Sequence, residues 1–365
     1  MKRTTKKALV LVMMLAIVAS LFAITASAAD DYTPVAGGTY TFDKYLIVDE
    51  DANIPATTFT FSISGGTGAN GNTPTGSATV GSATFTDGQT AYDTVQTGDN
   101  LTLPSGKKYA KTTVTIDLTG VTFPFMDTYS YTITEAASTA PGITNDRDVT
   151  RTFDVYVIDD NGDLVIQSTI LYAGTSFVDE DNDGNPDTKT VGYVNELDTQ
   201  NLEFGKEVTG NDGDKTKAFA FSLAITGANP NTTYTVVADG DGNAASFTTD
   251  ATGAATYTCN LKDGEYVTVK GLPTGASYAL TEDADGYTST EGITAAEGKD
   301  GVAYDDDVSG TIASADVKTG YTNTQERIIP TGVLLTIAPF AIGLLLFGAI
   351  VVFIISKRRR LAYDA

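Results

Sequence analysis

Between residues 29 and 327 the chain never holds a helical period. Short runs rich in Thr, Val, Tyr, Phe and Ile alternate apolar with polar residues instead: TYTFDKYLIV, TTFTFSIS, TTVTIDL, YSYTITEA, TFDVYVID and LVIQSTILY, then AFAFSLAI, TTYTVVA, EYVTVKGL and SYALTEDA. Clusters of Gly, Asn, Asp and Pro separate them. A period of two places alternate side chains on opposite faces of a strand, and many short strands punctuated by turns define antiparallel β-sandwiches. The expected fold is all-β.

The two ends read differently. Lys2, Arg3, Lys6 and Lys7 precede an apolar run from Ala8 to Ile24 and the small-residue exit Ala26-Ser27-Ala28. That is the pattern of a cleavable signal peptide, residues 1–28. A second apolar run, Val333 to Ile355, is long enough to cross a bilayer, for which about 20 residues suffice. Lys357-Arg358-Arg359-Arg360 follows and holds the tail on the cytoplasmic side. The chain is expected to be exported and tethered by its C-terminus before further processing.

The formal net charge is −23. Removing the four basic leader residues, and the four basic and one acidic residue beyond Gly332, leaves 15 basic and 45 acidic residues, or −30. Nucleic acid and anionic headgroups are poor partners for such a surface. Cys259 is the sole cysteine, so no intrachain disulfide is available, and its place in TYTCNL suits a small core residue. The absence of His and of a phosphate-cradling glycine loop argues against a turnover enzyme, and no cofactor is expected.

The chain repeats coarsely. A lysine-bearing opening strand, a strand ending in Thr-Glu and a strand carrying Tyr-x-Asn occur twice in the same order. The first set is Lys44, Glu135 in YTITE and Asn195 in GYVNE; the second is Lys206, Glu282 in YALTE and Asn323 in GYTNT. Two tandem sandwich domains are expected, residues 29–198 and 199–327, with a sorting and membrane segment at 328–365.

A sandwich can set its first and last strands side by side, so that a Lys on one meets an Asn on the other inside the core. Burial lowers the lysine pKa and raises that of a neighbouring carboxyl. The neutral amine is a nucleophile, and the carboxylic acid can hydrogen-bond the asparagine carbonyl, polarise it and relay protons as ammonia leaves. The product is a Lys–Asn isopeptide bond, made once by the protein on itself. The enclosed spans, 195 − 44 = 151 and 323 − 206 = 117 residues, are long. By analogy with disulfides, closing loops of this size stabilises a domain by roughly 5 kcal/mol.

KEVTGNDGDKTKAFAFSL, LKDGEYVTVKGLPTGASYALTED and GYTNT in the second domain resemble the Ig-like, CNA-B-type domain of Gram-positive FctA-like (T-antigen type) backbone pilins. The first domain is similar through TFDKYL, YSYTITEA and GYVNE. Ile329-Pro330-Thr331-Gly332 resembles the shortened V-P-T-G sorting signal of that family, and departs from the commoner L-P-x-T-G signal by lacking one residue and having Ile in place of Leu. The resemblance implies that a membrane sortase cleaves after Thr331 and that a lysine of another subunit then attacks, giving a head-to-tail homopolymer on the cell wall. Minor pilins and peptidoglycan are further implied partners, with the membrane engaged only before sorting. Lys189, six residues before Asn195, is the expected linking lysine, with Lys107, Lys108 and Lys111 as alternatives on what reads as a solvated turn. The other reading is a monomeric wall-anchored adhesin that carries the same signal.

DEDNDGNPD places Asp179, Asp181 and Asp183 at alternate positions, like the front of a calcium loop. Its twelfth position is Thr190 rather than a bidentate Glu, so an acidic hairpin tip is expected and no metal site.

Overall fold

A computed structural model describes residues 32–173, 190–327 and 342–356, apart from 100, 191, 241, 296, 297 and 355. The first domain pairs two sheets. One runs in the order Ile143–Thr144, Gly192–Leu197, Thr39–Asp49, Lys107–Asp117, Thr79–Val80; the other in the order Asp163–Ala173, Thr150–Asp160, Asp127–Glu135, Phe61–Gly68. One apolar cluster joins them, from Phe42, Leu46 and Val48 to Tyr129, Tyr131, Ile133, Phe153 and Val155. The second domain repeats the plan. A six-stranded sheet contains Thr199–Thr209 beside Val317–Thr324, and a four-stranded sheet contains Phe219–Thr226 beside Ser277–Glu282. Its own cluster includes Leu202, Phe204, Val208, Phe221, Leu223 and Leu280.

Strand parity explains which side chains turn inward. On Asp127–Glu135 every second residue is buried: Asp127, Tyr129, Tyr131, Ile133 and Glu135. Glu135 therefore shares the inward face with three large apolar side chains. Lys44 lies on the same parity as Phe42, Leu46 and Val48, and Lys206 on that of Phe204 and Val208. On the other face, Tyr45 and Ile47 pack with Tyr109 in a smaller cluster that Tyr92, Leu101 and Leu103 cover. The opening strand Thr39–Asp49 is thus buried on both sides around its lysine.

In each domain the last strand lies parallel to the first. Lys44 pairs with Tyr193 and Leu46 with Asn195; Lys206 pairs with Tyr321 and Val208 with Asn323. The asparagine is two residues beyond the lysine's partner in both, hence on the same face and diagonal to it. A glycine precedes each tyrosine for a steric reason. A Cβ at Gly192 would lie 1.6 Å from the Asp43 carbonyl oxygen, and one at Gly320 would lie 2.6 Å from that of Gly205.

Asp198 alone separates the closing strand of the first domain from the opening strand of the second. Its amide donates to the Gly142 carbonyl at 2.8 Å, and its carbonyl accepts from the Thr274 amide at 3.0 Å. Further contacts lock the junction. The Asn53 side-chain amide donates to the Thr233 carbonyl at 2.7 Å, and Lys270 pairs with Asp51 at 3.0 Å.

The sorting motif Ile329–Gly332, Lys189 and the acidic residues Asp179, Asp181 and Asp183 lie outside the described residues. Residues 342–354, within the expected span, are helical. Among the described residues no helix is long and apolar enough to cross a membrane.

The close approach at Gly192 gives a direct test. Gly192→Ala is expected to destabilise the first domain by about 3 kcal/mol or more and to leave the second domain's transition in place. Differential scanning calorimetry of the two variants Gly192→Ala and Gly320→Ala should show opposite domains losing stability.

Candidate functional site

In the first domain the Lys44 ammonium nitrogen Nζ stands 2.8 Å from Glu135 Oε1 and 2.9 Å from Oε2. The Asn195 side-chain amide donates from Nδ2 to the same Oε1 at 2.8 Å. In the second domain Lys206 Nζ stands 2.6 Å from Glu282 Oε1, and Asn323 Nδ2 donates to that oxygen at 2.9 Å. One carboxylate oxygen thus touches both the amine and the amide nitrogen in each domain. Lys44, Lys206 and Asn323 have no exposed surface, and Asn195 has 1%. All six residues singled out from the repeat are therefore brought together, three in each domain.

The surroundings are apolar and aromatic. The Phe59 ring centroid lies 4.7 Å from Lys44 Nζ, and the Phe219 centroid 4.5 Å from Lys206 Nζ. Contact with a ring face favours a charged amine by about 0.5–2 kcal/mol. Desolvation of a buried ion costs several kcal/mol, and it wins. Burial pushes the Lys44 amine down to about 8, against the opposing pull of the Glu135 charge. Lys206 is likewise pushed down to about 8 by burial, with Glu282 opposing. Glu135 moves up, again because of burial, with Lys44 opposing. In the first domain Lys44 and Glu135 both shift toward their neutral forms, and a neutral amine is what nucleophilic attack requires.

The carboxyl group faces the amide nitrogen in both sites, not the carbonyl oxygen that the sequence argument had it polarise. That places it to accept a proton from the attacking amine and to hand one to the departing nitrogen. The carbonyl oxygens have different neighbours. Asn195 Oδ1 accepts from the main-chain amide of Asp146 at 2.8 Å. Among the described residues Asn323 Oδ1 is buried without a hydrogen-bond partner.

Two features were not assigned a role from sequence. The tyrosine of each Tyr-x-Asn pair straps the closing strand to the glutamate strand across the core. Tyr193 donates to the Ile133 carbonyl at 2.9 Å, and Tyr321 to the Leu280 carbonyl at 3.1 Å. Each acceptor lies two residues before the glutamate, so the strap sets the height of carboxyl against amide. Its signal was present in the repeat itself, where tyrosine stands two before each asparagine. The second feature, Asp146 with Arg151, had no such signal, because it occurs in the first domain only.

Lys107 and Lys111 do not decorate a solvated turn. Both belong to the strand Lys107–Asp117. Lys107 is paired with Asp49 at 2.8 Å and Glu196 at 2.9 Å, and Lys111 with Asp99 at 2.5 Å. Lys108 lies half-buried on the same strand. Cys259 is buried, and burial pushes its thiol up to about 12, which leaves it inert. Among the described residues no group of ligand side chains could hold a metal ion.

Fold and site together define a tandem β-sandwich protein with a dry Lys–Glu–Asn constellation joining the first and last strands of each domain. Residues 40–196 match the family described as the Spy0128-like isopeptide containing domain, FctA. Residues 200–325 match a domain of unknown function, DUF7601. Along most of its length the chain is similar to a pilin of Streptococcus pyogenes serotype M1, at 28% identity over 359 residues, 93% of this chain and 96% of that protein. A shorter similarity, 31% over 142 residues, links 37% of this chain to 18% of the pilus tip adhesin Cpa of Streptococcus pyogenes. The crystal structure of the major pilin from Streptococcus pyogenes aligns with a TM-score of 0.47 at 23% identity, covering 80% of this chain and all of that one.

The lowered lysine pKa has a measurable consequence. In an Asn195→Ala variant Lys44 stays a free amine with a folded-state pKa near 8, below its ordinary 10.5. Between those values the unfolded chain binds more protons than the folded one, so stability rises with pH across that window. The melting temperature of the first domain should climb from pH 8 toward pH 10 relative to a Lys44→Met, Asn195→Ala double variant, in which this titration is gone.

Proposed function

We propose that the chain is the backbone subunit of a covalently assembled cell-surface pilus, and that each of its domains is closed by an autocatalytic isopeptide bond. The bonds join Lys44 to Asn195 and Lys206 to Asn323, with Glu135 and Glu282 as acid–base groups. The reading is supported above all by the single carboxylate oxygen that touches amine and amide nitrogen in both domains. Similarity to a streptococcal pilin over nearly the whole chain supports the same assignment.

The chemistry balances within each triad. The neutral amine adds to the asparagine Cγ and the carbonyl electron pair moves to Oδ1. The carboxyl group takes a proton from Nζ and gives one to Nδ2. The C–Nδ2 bond breaks as the carbonyl re-forms, and ammonia leaves. Lysine and asparagine are consumed, so this is a single turnover and not enzymatic catalysis; the chain is a structural subunit.

Polymerisation follows from the sorting motif. A sortase cleaves between Thr331 and Gly332, and Lys189 of another copy takes the Thr331 acyl group. The closing strand of the second domain runs parallel to its opening strand, and so away from the junction with the first domain. Thr331 follows that far end in the chain. The closing strand of the first domain starts, at Gly192, from its end away from the junction, and Lys189 precedes Gly192 by three residues in the chain. This opposition suits head-to-tail linkage. A tip subunit of adhesin type and the wall peptidoglycan are the further partners of this reading.

Two measurements test it. Intact mass of the secreted protein should fall short of the sequence mass by about 17 Da for each bond, one ammonia apiece. Glu135→Ala should abolish the loss in the first domain only, and Glu282→Ala in the second only; an unshifted wild-type mass would refute the bonds. Immunoblots of wall extracts should show an SDS-resistant ladder that Lys189→Ala collapses to a single band. A single band from the wild type would instead favour a monomeric anchored adhesin.

A further inference from the structure

The two sites share a triad but differ behind the asparagine. In the first domain the short strand Ile143–Thr144 pairs with the closing strand only at Leu197 and Glu196 and then breaks off. Asp146, two residues on, turns its main-chain N–H onto Asn195 Oδ1 at 2.8 Å. Its carboxylate holds that turn from three sides. It accepts from the Val194 amide at 2.7 Å, from Arg151 Nη2 at 2.9 Å and from the Asp148 amide at 2.8 Å. Arg151 is itself fixed, with its guanidinium 4.6 Å from the Tyr193 ring centroid and both side chains of the pair under one-tenth exposed.

In the second domain the corresponding edge of the closing strand is occupied differently. The strand Thr288–Glu291 pairs with it through Asn323 itself, register Ser289 to Asn323. Main-chain donors in such a ladder point along the sheet at main-chain carbonyls, away from a side-chain oxygen in the core. Ser289 does contribute a hydroxyl, but it donates to Glu282 Oε2 at 3.1 Å. Asn323 Oδ1, wholly buried, is left without a donor among the described residues.

During attack by the amine, negative charge develops on Oδ1. A fixed N–H aimed at that oxygen stabilises the transition state without reorganisation, and loss of one such donor in other acyl transfers costs about 100-fold or more in rate. We propose that the Asp146 main-chain amide is the oxyanion donor for closure of the first domain, that Arg151 is the residue that positions it, and that the second domain, lacking a donor, closes more slowly. This rests on the isopeptide reading above. It adds an order of events: the first domain is stapled before the second.

Time-resolved mass spectrometry decides it. The full chain is made by pulse-labelled cell-free synthesis with detergent, quenched at intervals and digested, and the cross-linked peptides of each domain are counted. The Lys44–Asn195 peptide should appear at least about tenfold faster than the Lys206–Asn323 peptide, a conservative share of the donor effect. Asp146→Pro deletes the donor and should slow the first bond alone. Arg151→Met should slow it while Arg151→Lys, which keeps a cation for the Asp146 carboxylate, restores part of the rate. Equal rates in the wild type overturn the inference and leave the isopeptide bonds standing. So does an Arg151→Met protein that closes its first domain at the wild-type rate. Absence of both cross-linked peptides in the wild type overturns this inference together with the isopeptide reading.

Discussion

Everything at these sites depends on the last strand of each sandwich lying parallel and tight against the first. Parallel pairing aligns Lys44 with Tyr193 and Lys206 with Tyr321, and the two-residue period then carries each asparagine to the lysine's own face. The approach is possible because a glycine opens each closing motif where a side chain would meet backbone. Gly-Tyr-x-Asn is therefore one device with three parts: a gap for close docking, a phenol that ties the opposite sheet, and the amide. Neither a turn nor a flexible loop brings the reacting groups together; the ladder does.

Dryness then sets the chemistry. A lysine and a glutamate in water would stay ionised, and their attraction at the surface would amount to about 0–1 kcal/mol. Within the core each charge carries a desolvation cost of several kcal/mol that a single pairing does not cleanly offset. Both Lys44 and Lys206 are accordingly pushed down to about 8. The same arrangement appears in the domain that matches the FctA family model and in the one matched to a domain of unknown function. What the two domains share is the geometry of the triad and not a family label.

Much of this was legible in the sequence because parity is legible. Phe42-x-Lys44-x-Leu46 and Tyr131-x-Ile133-x-Glu135 place an ionisable residue where the alternation demands an apolar one, and such a misfit marks either an error or a site. Repetition of the misfit in a second domain removed the first option. What stayed hidden had no period to betray it. Asp146 and Arg151 act across a break between strands, where backbone direction rather than alternation aims the donor. Phe59 reaches Lys44 from a three-residue strand too short to show a pattern. Lys107 and Lys111 looked like turn residues because Gly106 precedes them, yet they open a strand of eleven residues and are paired with acids on neighbouring elements.

The topology also dictates how a stretched shaft would bear load. In each domain the chain enters along the opening strand and leaves along the parallel closing strand, so tension applied at the two ends shears the very pair that carries the lysine and the asparagine. Without a covalent link, resistance comes from the hydrogen bonds of a short ladder, which in the first domain spans only the register from Gly192 to Glu196. With the link in place, force passes from Lys44 directly to Asn195 and from Lys206 to Asn323. The intervening residues, which include the glutamate strands and most of both cores, then carry none of it. One residue separates the two domains, so with both proposed links formed the loaded path would run nearly uninterrupted from one to the next. A pilus of such subunits would be extensible only to the degree that its sorting-motif joints are. The same placement gives the proposed bond a reason to lie between opening and closing strands: on any inner pair it could stabilise the fold, but it would leave the terminal strands free to peel away.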